Sequence, residues 1–458
     1  MSDLARQFVV FPELLDRPLT AVHDEPATTS DAGALLLGAV DRALGVTKCI
    51  AASIRETRQA GKIVHGLLDL VRQRVFGIAC GYADCNDSAR LRDDPMQKTL
   101  LERDPIKGLP LADQSTLSRF ENRVGVRDLV AMGHRLAELV IERHRKRLRR
   151  KGVDLITIDM DPTEDATHGQ QQLSFFNGHY DTWCYLPILG FLTFNDEAEQ
   201  YLFAALLRPG VAKATDGAIP LLRRLLPRLR KAFPKARLRV RLDGGFAGPE
   251  MLDFLEDERL EYVLGLGGNA VLSREIEPLM EIVRARTEQS GETETLFHET
   301  EYAAKSWCGH GRRVVMKAEV VRLEGRSPRD NARFVVTNLR HLPENVYQVY
   351  RERGDSENRI KECKDDLEMD RTSCTNFLAN QLRVLLTAAA FVLFQEIRLR
   401  ASRHSGQRPS VGTLRLRLLK VAGRFESSVR RVVVHLAESH VWAREWLRLA
   451  RSCGAVPG

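Results

Sequence analysis

The sequence predicts an α/β protein. A mixed sheet flanked by helices fills the middle of the chain, a β-rich insertion interrupts it, and helical regions stand at both ends. Three observations carry this. Near Val153 the apolar pattern changes from the three-to-four spacing of helices to the alternation of strands. Residues 153–270 then read in order as three strands, a helix, a strand, a helix and a strand. Last, a charged stretch with helical spacing, 346–367, follows the sheet. The expected regions are 1–150, mainly helical; 151–270, the first part of the core; 271–335, the insertion; 336–400, the second part of the core; and 401–458, a basic helical tail.

Residues 1–30, rich in Pro, Asp and Thr, read as an irregular or short-stranded arm. From 32 to about 76, GALLLGAVDRALG and GKIVHGLLDLVRQRVFGIACG carry apolar residues at helical spacing. After a polar, broken stretch at 84–105, LPLADQSTLSRFENRV opens a second helical segment, with Asp113 or Ser115 as cap. It continues through DLVAMGHRLAELVIERHRKRLRRK and ends in seven cations between Arg143 and Lys151. Two readings of that run stand: a solvated helix end favoured by the helix dipole, or a contact with phosphates.

VDLITIDMD alternates tightly and ends in Asp159 and Asp161. HYDTWCYLPILGFLTF and QYLFAALLRPG are the next strand-like segments, and 217–232 is a helix. RLRVRLDGG stops at Asp243 before two glycines, as a strand delivering a side chain at its carboxyl end should. A helix from Pro249 and the strand EYVLGLGGN complete this run. The insertion holds a charged helical piece, REIEPLMEIVRAR, and the strands RRVVMKAEVVRL and RFVVTNL. NFLANQLRVLLTAAAFVLFQEIRLR reads as a long buried helix, and the tail, including LRLRLLKVAGRF, VRRVVVHL and HVWAREWLRLAR, as basic helices.

The length of 458 residues suggests two to four domains at roughly 150 residues each. A 43% hydrophobic content is that of an ordinary soluble chain, and a net charge of +8 beside 61 acidic residues favours an anionic partner such as nucleic acid. The eight cysteines are scattered, with no C-x-x-C pair and no zinc spacing, which argues for reduced thiols. The N-terminus has acids and a proline where a signal peptide needs an apolar core. The apolar run at Val384–Phe394, interrupted by Thr387, reads as too short to span a bilayer. The expectation is a soluble cytoplasmic protein with no membrane partner.

In 346–367, offsets of three, four and seven residues bring Tyr350, Arg353, Glu357 and Lys364 near one helical face, beside an apolar stripe of Ile360, Cys363 and Leu367. Asp161 ends the first strand, with Asp159 on the same face, and Asp243 ends the fourth. Taken singly, such aspartates are turn or cap residues and such a helix is a solvated surface. Together they are the oxygen donors that a hard divalent cation takes. Two such ions, roughly 3.5–4 Å apart, serve both the attacking and the leaving oxygen of a phosphodiester. GLGGN at 265–269 lacks the full dinucleotide fingerprint, and His168 and His179, near the first acid, read as structural residues.

The Tyr-x2-Arg-x3-Glu-x6-Lys spacing at 350–364 resembles the signature of the bacterial insertion-sequence transposases named for those four residues, of the insertion-sequence family four type. DMDPTEDATHGQQQLSFFNGHYDTWCYLPILGF, RLDGGF, RGDSENRIKE, ANQLR, GYADCND, LRDDP and QSTLSRFEN are similar to one branch, the thirteen-eighty group, over most of the chain. Two departures are Gly244, where Ser is expected after Asp243, and Pro162 between Asp161 and Thr163. Neither removes a carboxylate.

The resemblance implies a ribonuclease H-like core with a DDE triad, in which Asp161, Asp243 and Glu357 are catalytic metal ligands. Asp161 is preferred because it stands two residues before a threonine, with Asp159 as the alternative first acid. The implied cofactor is Mg²⁺, two ions, for which Mn²⁺ can substitute. Tyr350, Arg353 and Lys364 are implied to bind DNA phosphates and sugars. Trp307, the one Trp of the insertion, is a candidate for stacking on a base, against an ordinary reading as a buried side chain. The implied activity is binding of terminal inverted repeats, cleavage at the element ends, and joining of the 3′-hydroxyl to target DNA. A homodimer is expected in the paired-end complex. The competing readings are a catalytically inactive or repurposed DNA-binding protein, and a nuclease that cuts without joining.

Overall fold

The change of period near Val153 has a direct structural counterpart. In the computed structural model, which describes residues 8–11, 16–406 and 408–456, Val126–Arg147 (α1) precedes the strands Leu155–Pro162 (β1), Ile188–Phe194 (β2) and Tyr201–Leu206 (β3). The helix Ala218–Ala232 (α2), the strand Arg237–Leu242 (β4), the helix Pro249–Asp257 (α3) and the strand Glu261–Leu266 (β5) follow. β2 is buried at every position and apolar except at Thr193, as a strand covered on both faces must largely be. It pairs antiparallel with β1 and β3, whereas β4 joins β1 in parallel and β5 joins β4 in parallel. The two parallel steps are those with helices between the strands, because a parallel return needs a crossover.

The insertion does not stand apart from this sheet. After the helix Ala270–Ser290 (α4) come Glu294–Tyr302 (β6), Arg312–Val321 (β7) and Arg333–Thr337 (β8). β8 pairs with β5, β7 with β8 and β6 with β7, all antiparallel. The order across the sheet is thus β6-β7-β8-β5-β4-β1-β2-β3, with the two-residue strand Arg329–Asp330 beside β7. This large mixed sheet flanked by helices is consistent with the core that the resemblance implies.

α1 presents Leu129, Met132, Leu136, Val140, Ile141 and His144 at helical spacing to the core and packs on β3 and α2. The His144 ring stacks on Phe194 at 4.9 Å, and burial holds its pKa well below the usual histidine value. Several cations at the helix end are paired locally: Arg147 gives two 2.7 Å bonds to Glu197, and Arg145 bonds Glu142.

Several sequence readings need correction. The stretch 346–367 is not one α-helix but Pro343–Arg351 (α5), Gly354–Lys361 (α6) and a π-turn, Glu362–Asp366. Between α5 and α6 the backbone tightens to i→i−3 bonds, from Arg353 to Tyr350, Asp355 to Glu352 and Ser356 to Arg353. The Ser356 hydroxyl donates to the same Arg353 carbonyl at 2.8 Å. HYDTWCYLPILGFLTF is two strands, Thr182–Tyr185 and β2, divided at Pro187, which has no N–H for the ladder. The tail is not wholly helical: Gly423–Ser427 and Val432–Leu436 are paired strands, because the β-branched run at 432–434 suits a pleated surface. The apolar run is part of the helix Phe377–Ser405 (α7), whose segment Phe377–Ser402 is long and apolar enough to cross a membrane but has 89% of its most apolar window buried. That burial is what a core helix shows.

The chain divides into two compact units. One comprises Met1–Thr47, Thr57–Phe120 and Glu396–Gly458 in their described parts, the other Lys48–Glu56 and Glu121–Gln395. α1 therefore belongs with the sheet, and the C-terminal tail folds with the N-terminal segments. In that first unit Gly423 pairs with Thr29, Lys420 bonds Asp31 at 2.7 Å, and the Trp446 indole N–H points to the Gly33 carbonyl at 3.4 Å. A Cβ on Gly33 would stand 1.8 Å from the Leu418 carbonyl oxygen, so only glycine fits there. Part of the predicted N-terminal arm, 1–7 and 12–15, lies outside the described residues; Phe8–Phe11 and Leu19–Val22 pair antiparallel.

β4 alternates arginines toward acids. Arg239 bonds Glu261 at 2.8 Å and Arg241 makes a two-pronged pair with Asp159, at 2.8 and 2.9 Å. Both members of the latter pair are buried. Removing one leaves an uncompensated charge in the core, so Arg241→Ala is expected to cost about 3–5 kcal/mol in urea unfolding. A second buried acid, Asp165, gives a pH dependence. Burial raises its pKa to about 8, opposed by the Thr372 hydroxyl and Lys364 and helped by Asp370 and Glu164. The folded state thus holds a proton that the unfolded chain releases near 3.8. This contribution is complete below that value and is lost as pH climbs to about 8. Asp165→Asn is expected to flatten the fall in unfolding free energy across that window.

Candidate active site

The register of two parallel strands places the first two acids. Asp159 on β1 lies opposite Arg241 on β4. Side chains alternate along a strand, so Asp161 and Asp243, each two residues further on, face the same side at adjacent carboxyl ends. Asp243 continues the extended backbone past β4 and caps a short 3₁₀ turn, Gly244–Phe246, accepting the Gly245 N–H at 2.9 Å. Asp161 is nearly buried.

The third acid comes from the helical segment. Glu357 sits in the first turn of α6 with 60% of its side chain exposed. Arg353 joins it to the strand: one guanidinium nitrogen donates to Asp161 Oδ2 at 2.6 Å, and the other to Glu357 Oε1 at 2.6 Å. The pair Arg353–Glu357 survives the helix break because both residues lie on its α6 side.

Tyr350 ends α5 and is half-buried, 6.0 Å from ring centroid to the Arg353 guanidinium carbon. Its hydroxyl lies against β5, where a Cβ on Gly265 would come within 2.5 Å of it. GLGGN is thus the seat of Tyr350 and the start of α4, whose first amides Asn269 caps. α5 itself rests on Val263, Val315, Val335 and Leu339 through Val346 and Tyr347, a cluster to which the insertion strands contribute.

Electrostatics reflect the crowding. Burial raises the Asp161 pKa to about 7; Arg353 opposes this, and the charges of Asp243 and Glu357 add to it. Burial would lower the Arg353 pKa, but Asp161, Tyr350 and Glu357 hold it above the usual arginine value. Burial raises Tyr350 as well.

As the side chains stand, no three His, Cys, Asp or Glu residues among those described converge tightly enough to hold a metal. Arg353 takes one oxygen each from Asp161 and Glu357. The donor set is nevertheless the right kind for a hard divalent cation: three carboxylates from separate elements, whose mutual repulsion a cation would relieve.

Other expected site residues stand differently. Asp159 is enclosed by Arg241 and by Gln200, whose amide reaches it at 3.1 Å. Lys364 is turned by the π-turn onto the Glu164 carbonyl at 2.7 Å, with Asp370 at 3.8 Å. Trp307 is 3% exposed, with Tyr302 edge-on at 5.6 Å and the Arg312 guanidinium at 5.2 Å, which leaves no free face for a base. His168 and His179 are exposed. Two positioning groups were missed in the sequence reading, Arg241 and Glu352. Arg241 binds the Val349 carbonyl at 3.1 Å and Glu352 at 2.9 Å as well as Asp159. The alternating arginines of RLRVRL were the available signal.

The family model described as Transposase DDE domain group 1 matches residues 11–453, which takes in all three acids, Tyr350, Arg353 and both compact units. No curated protein matches the chain. That family description implies DNA binding, divalent metal and DNA cleavage. The chain belongs to the Transposase DDE domain group 1 family and is a DDE transposase by that membership.

Proposed function

We propose that this protein is an insertion-sequence transposase of the Tyr-Arg-Glu-Lys signature superfamily, within its thirteen-eighty group, with a ribonuclease H-like catalytic core in the larger unit. It binds the terminal inverted repeats of its element, cleaves at the ends and joins them to target DNA. The observation that carries the reading is the parallel register that sets Asp161 and Asp243 side by side, with Glu357 tied to Asp161 through Arg353. Asp161, Asp243 and Glu357 would hold Mg²⁺, two ions, with Mn²⁺ able to substitute. Asp159 is left out of this set because Arg241 and Gln200 already occupy its oxygens. When bound, the ions supply activation of the attacking oxygen and charge neutralisation at the leaving oxygen.

The protein's own groups position the DNA. Arg353 exchanges its carboxylate bonds for a clamp on a phosphate, as the planar fork of arginine allows. Tyr350, fixed against Gly265, offers a hydroxyl beside it. Lys364 contributes charge from the Glu164 carbonyl, and buried Trp307 has no part. In the first step a water oxygen bonds to phosphorus and the P–O3′ bond breaks, giving a free 3′-hydroxyl. In the second, that hydroxyl bonds to a target phosphorus, and the target's own 3′-oxygen leaves. The paired ends require two protomers, so a homodimer is the working form, in the cytoplasm on the bacterial nucleoid.

The test is cleavage of a labelled duplex carrying the element's terminal repeat, with and without Mg²⁺. Metal-dependent cutting at the repeat boundary is expected, reduced to background by Asp161→Asn, Asp243→Asn or Glu357→Gln. Arg353→Ala is expected to slow it roughly 10²–10³-fold, the usual loss for one charge-stabilising donor. Repeat-specific binding without cutting would instead make this a DNA-binding relative. Cutting without transfer to a second duplex would make it a nuclease.

A further inference from the structure

The chain leaves β1 one residue after Asp161 and returns to pair with that same acid at Leu189. What lies between is a built element, a three-stranded antiparallel sheet of Asp165–Ala166, Thr182–Tyr185 and Phe175–Asn177 with Thr182–Tyr185 in the centre. The Thr163 N–H donates to the Pro187 carbonyl at 2.9 Å, so entry and exit are fixed together beside the carboxyl end of β1.

The sheet is held firmly. The Asn177 amide bonds the Gly210 carbonyl at 2.8 Å, and the Tyr185 hydroxyl bonds the Gln172 carbonyl at 2.7 Å. The Thr167 hydroxyl bonds the Trp183 carbonyl at 3.0 Å, and Asn177 Oδ1 accepts the His179 N–H at 3.0 Å to shape the turn. A Cβ on Gly210 would lie 2.2 Å from the Cys184 carbonyl oxygen, so the turn after β3 presses directly on it.

Against that rigid base, the outer side chains are uncovered. Phe175 is 39% exposed, Phe176 50%, Tyr180 38% and Trp183 57%, with Leu173 at 45%. Phe176 and Trp183 stand directly opposite in the register, their rings 6.4 Å apart and edge-to-face. Among the residues whose side chains are described, every Phe, Tyr or Trp more than about a third exposed is in this hairpin. A soluble surface rarely gathers such groups without a partner. Tyr180 sits at the turn of this hairpin, on the element that leaves β1 directly after Asp161 and returns to pair with it.

We propose that this hairpin is a stacking platform for DNA bases next to the phosphodiester bound at Asp161, Asp243 and Glu357, with Phe176 and Trp183 as its main faces. The inference rests on the transposase reading. A nucleotide joins a phosphate to a flat base, and the surface offers the complement of both: an acid site for a metal-bridged phosphate and, at its edge, aromatic faces that accept any base. The rigidity of the hairpin means that little ordering entropy opposes stacking.

The test uses the full-length protein with Ca²⁺, a hard cation that takes the same oxygen ligands, and terminal-repeat duplexes carrying 2-aminopurine at successive positions across the boundary. Binding is followed by anisotropy and stacking by 2-aminopurine fluorescence. Wild type is expected to change the fluorescence at one or two positions beside the boundary. Phe176→Ala with Trp183→Ala is expected to abolish that change and weaken binding roughly tenfold per lost stack. Trp183→Phe should retain it, and all variants should keep the wild-type melting midpoint, because the side chains are exposed. An unchanged fluorescence response and affinity in the double variant would overturn the platform while leaving the transposase reading intact. Failure of the wild type to bind the repeat duplex would overturn both. A DNA-independent dimer that sedimentation shows to be lost in the double variant would assign the hairpin to a second copy and overturn the platform alone.

Discussion

The buried pair between Arg241 and Asp159 is the constraint on which the site geometry rests. A guanidinium with both prongs on a fully enclosed carboxylate fixes the register of β1 against β4 at one level below the site. The next level up is then determined, and it consists of Asp161 and Asp243. The same arginine reaches the Val349 carbonyl and the Glu352 carboxylate, so the end of α5 is anchored to the sheet by the group that sets the strands. Breaking the helix immediately after Glu352 lets Arg353 turn toward Asp161. One buried charge network thus positions groups from three elements that are far apart in the chain.

The insertion contributes to this arrangement rather than decorating it. Its strands extend the core sheet beyond β5 and supply Val315 and Val335 to the surface that carries α5. Tyr350 at the end of that helix meets β5 at Gly265, where the absence of a side chain admits the hydroxyl. At the other side of the acids, the aromatic hairpin is inserted between β1 and β2 without disturbing their pairing. The face that carries the acids is therefore framed by two insertions, one apolar and buried beneath the helix, the other aromatic and open to solvent.

Much of the core was readable because its signals are local. The alternation of LITIDMD, the nearly all-apolar ILGFLTF and the abrupt stop of RLRVRLDGG each mark a strand from its own residues. Asp161, with Asp159 beside it, and Asp243 stood out by their places at strand ends and Glu357 by its place on a charged helical stretch, and the structure brings Arg353 to Asp161 and Glu357. What was not readable depends on distant partners. The break at 352–353 follows tertiary anchoring by Arg241, and spacing alone predicted a continuous helix. VRRVVVHL has a β-branched run that suits a strand, and the partner at 423–427 is what decides it against the helical reading. Trp307 entered as a DNA contact through the resemblance, beside an ordinary reading as a buried side chain, and the packing of Tyr302 and Arg312 around it shows a covered ring.

The sequence by itself determined the α/β class of the core, the order of its strands and helices, and the grouping of Tyr350, Arg353 and Glu357 in one helical segment. These follow from periodicity, from turn residues and from the spacing 350–364, all properties of short stretches. The tertiary structure decided which of two neighbouring aspartates is enclosed by Arg241, how the helical segment breaks, and that the tail closes a unit with the N-terminal segments. It decided as well which aromatics face water. Each of these outcomes turns on desolvation and pairing, such as Asp159 enclosed by Arg241, and desolvation is a property of surroundings that no single stretch of chain contains.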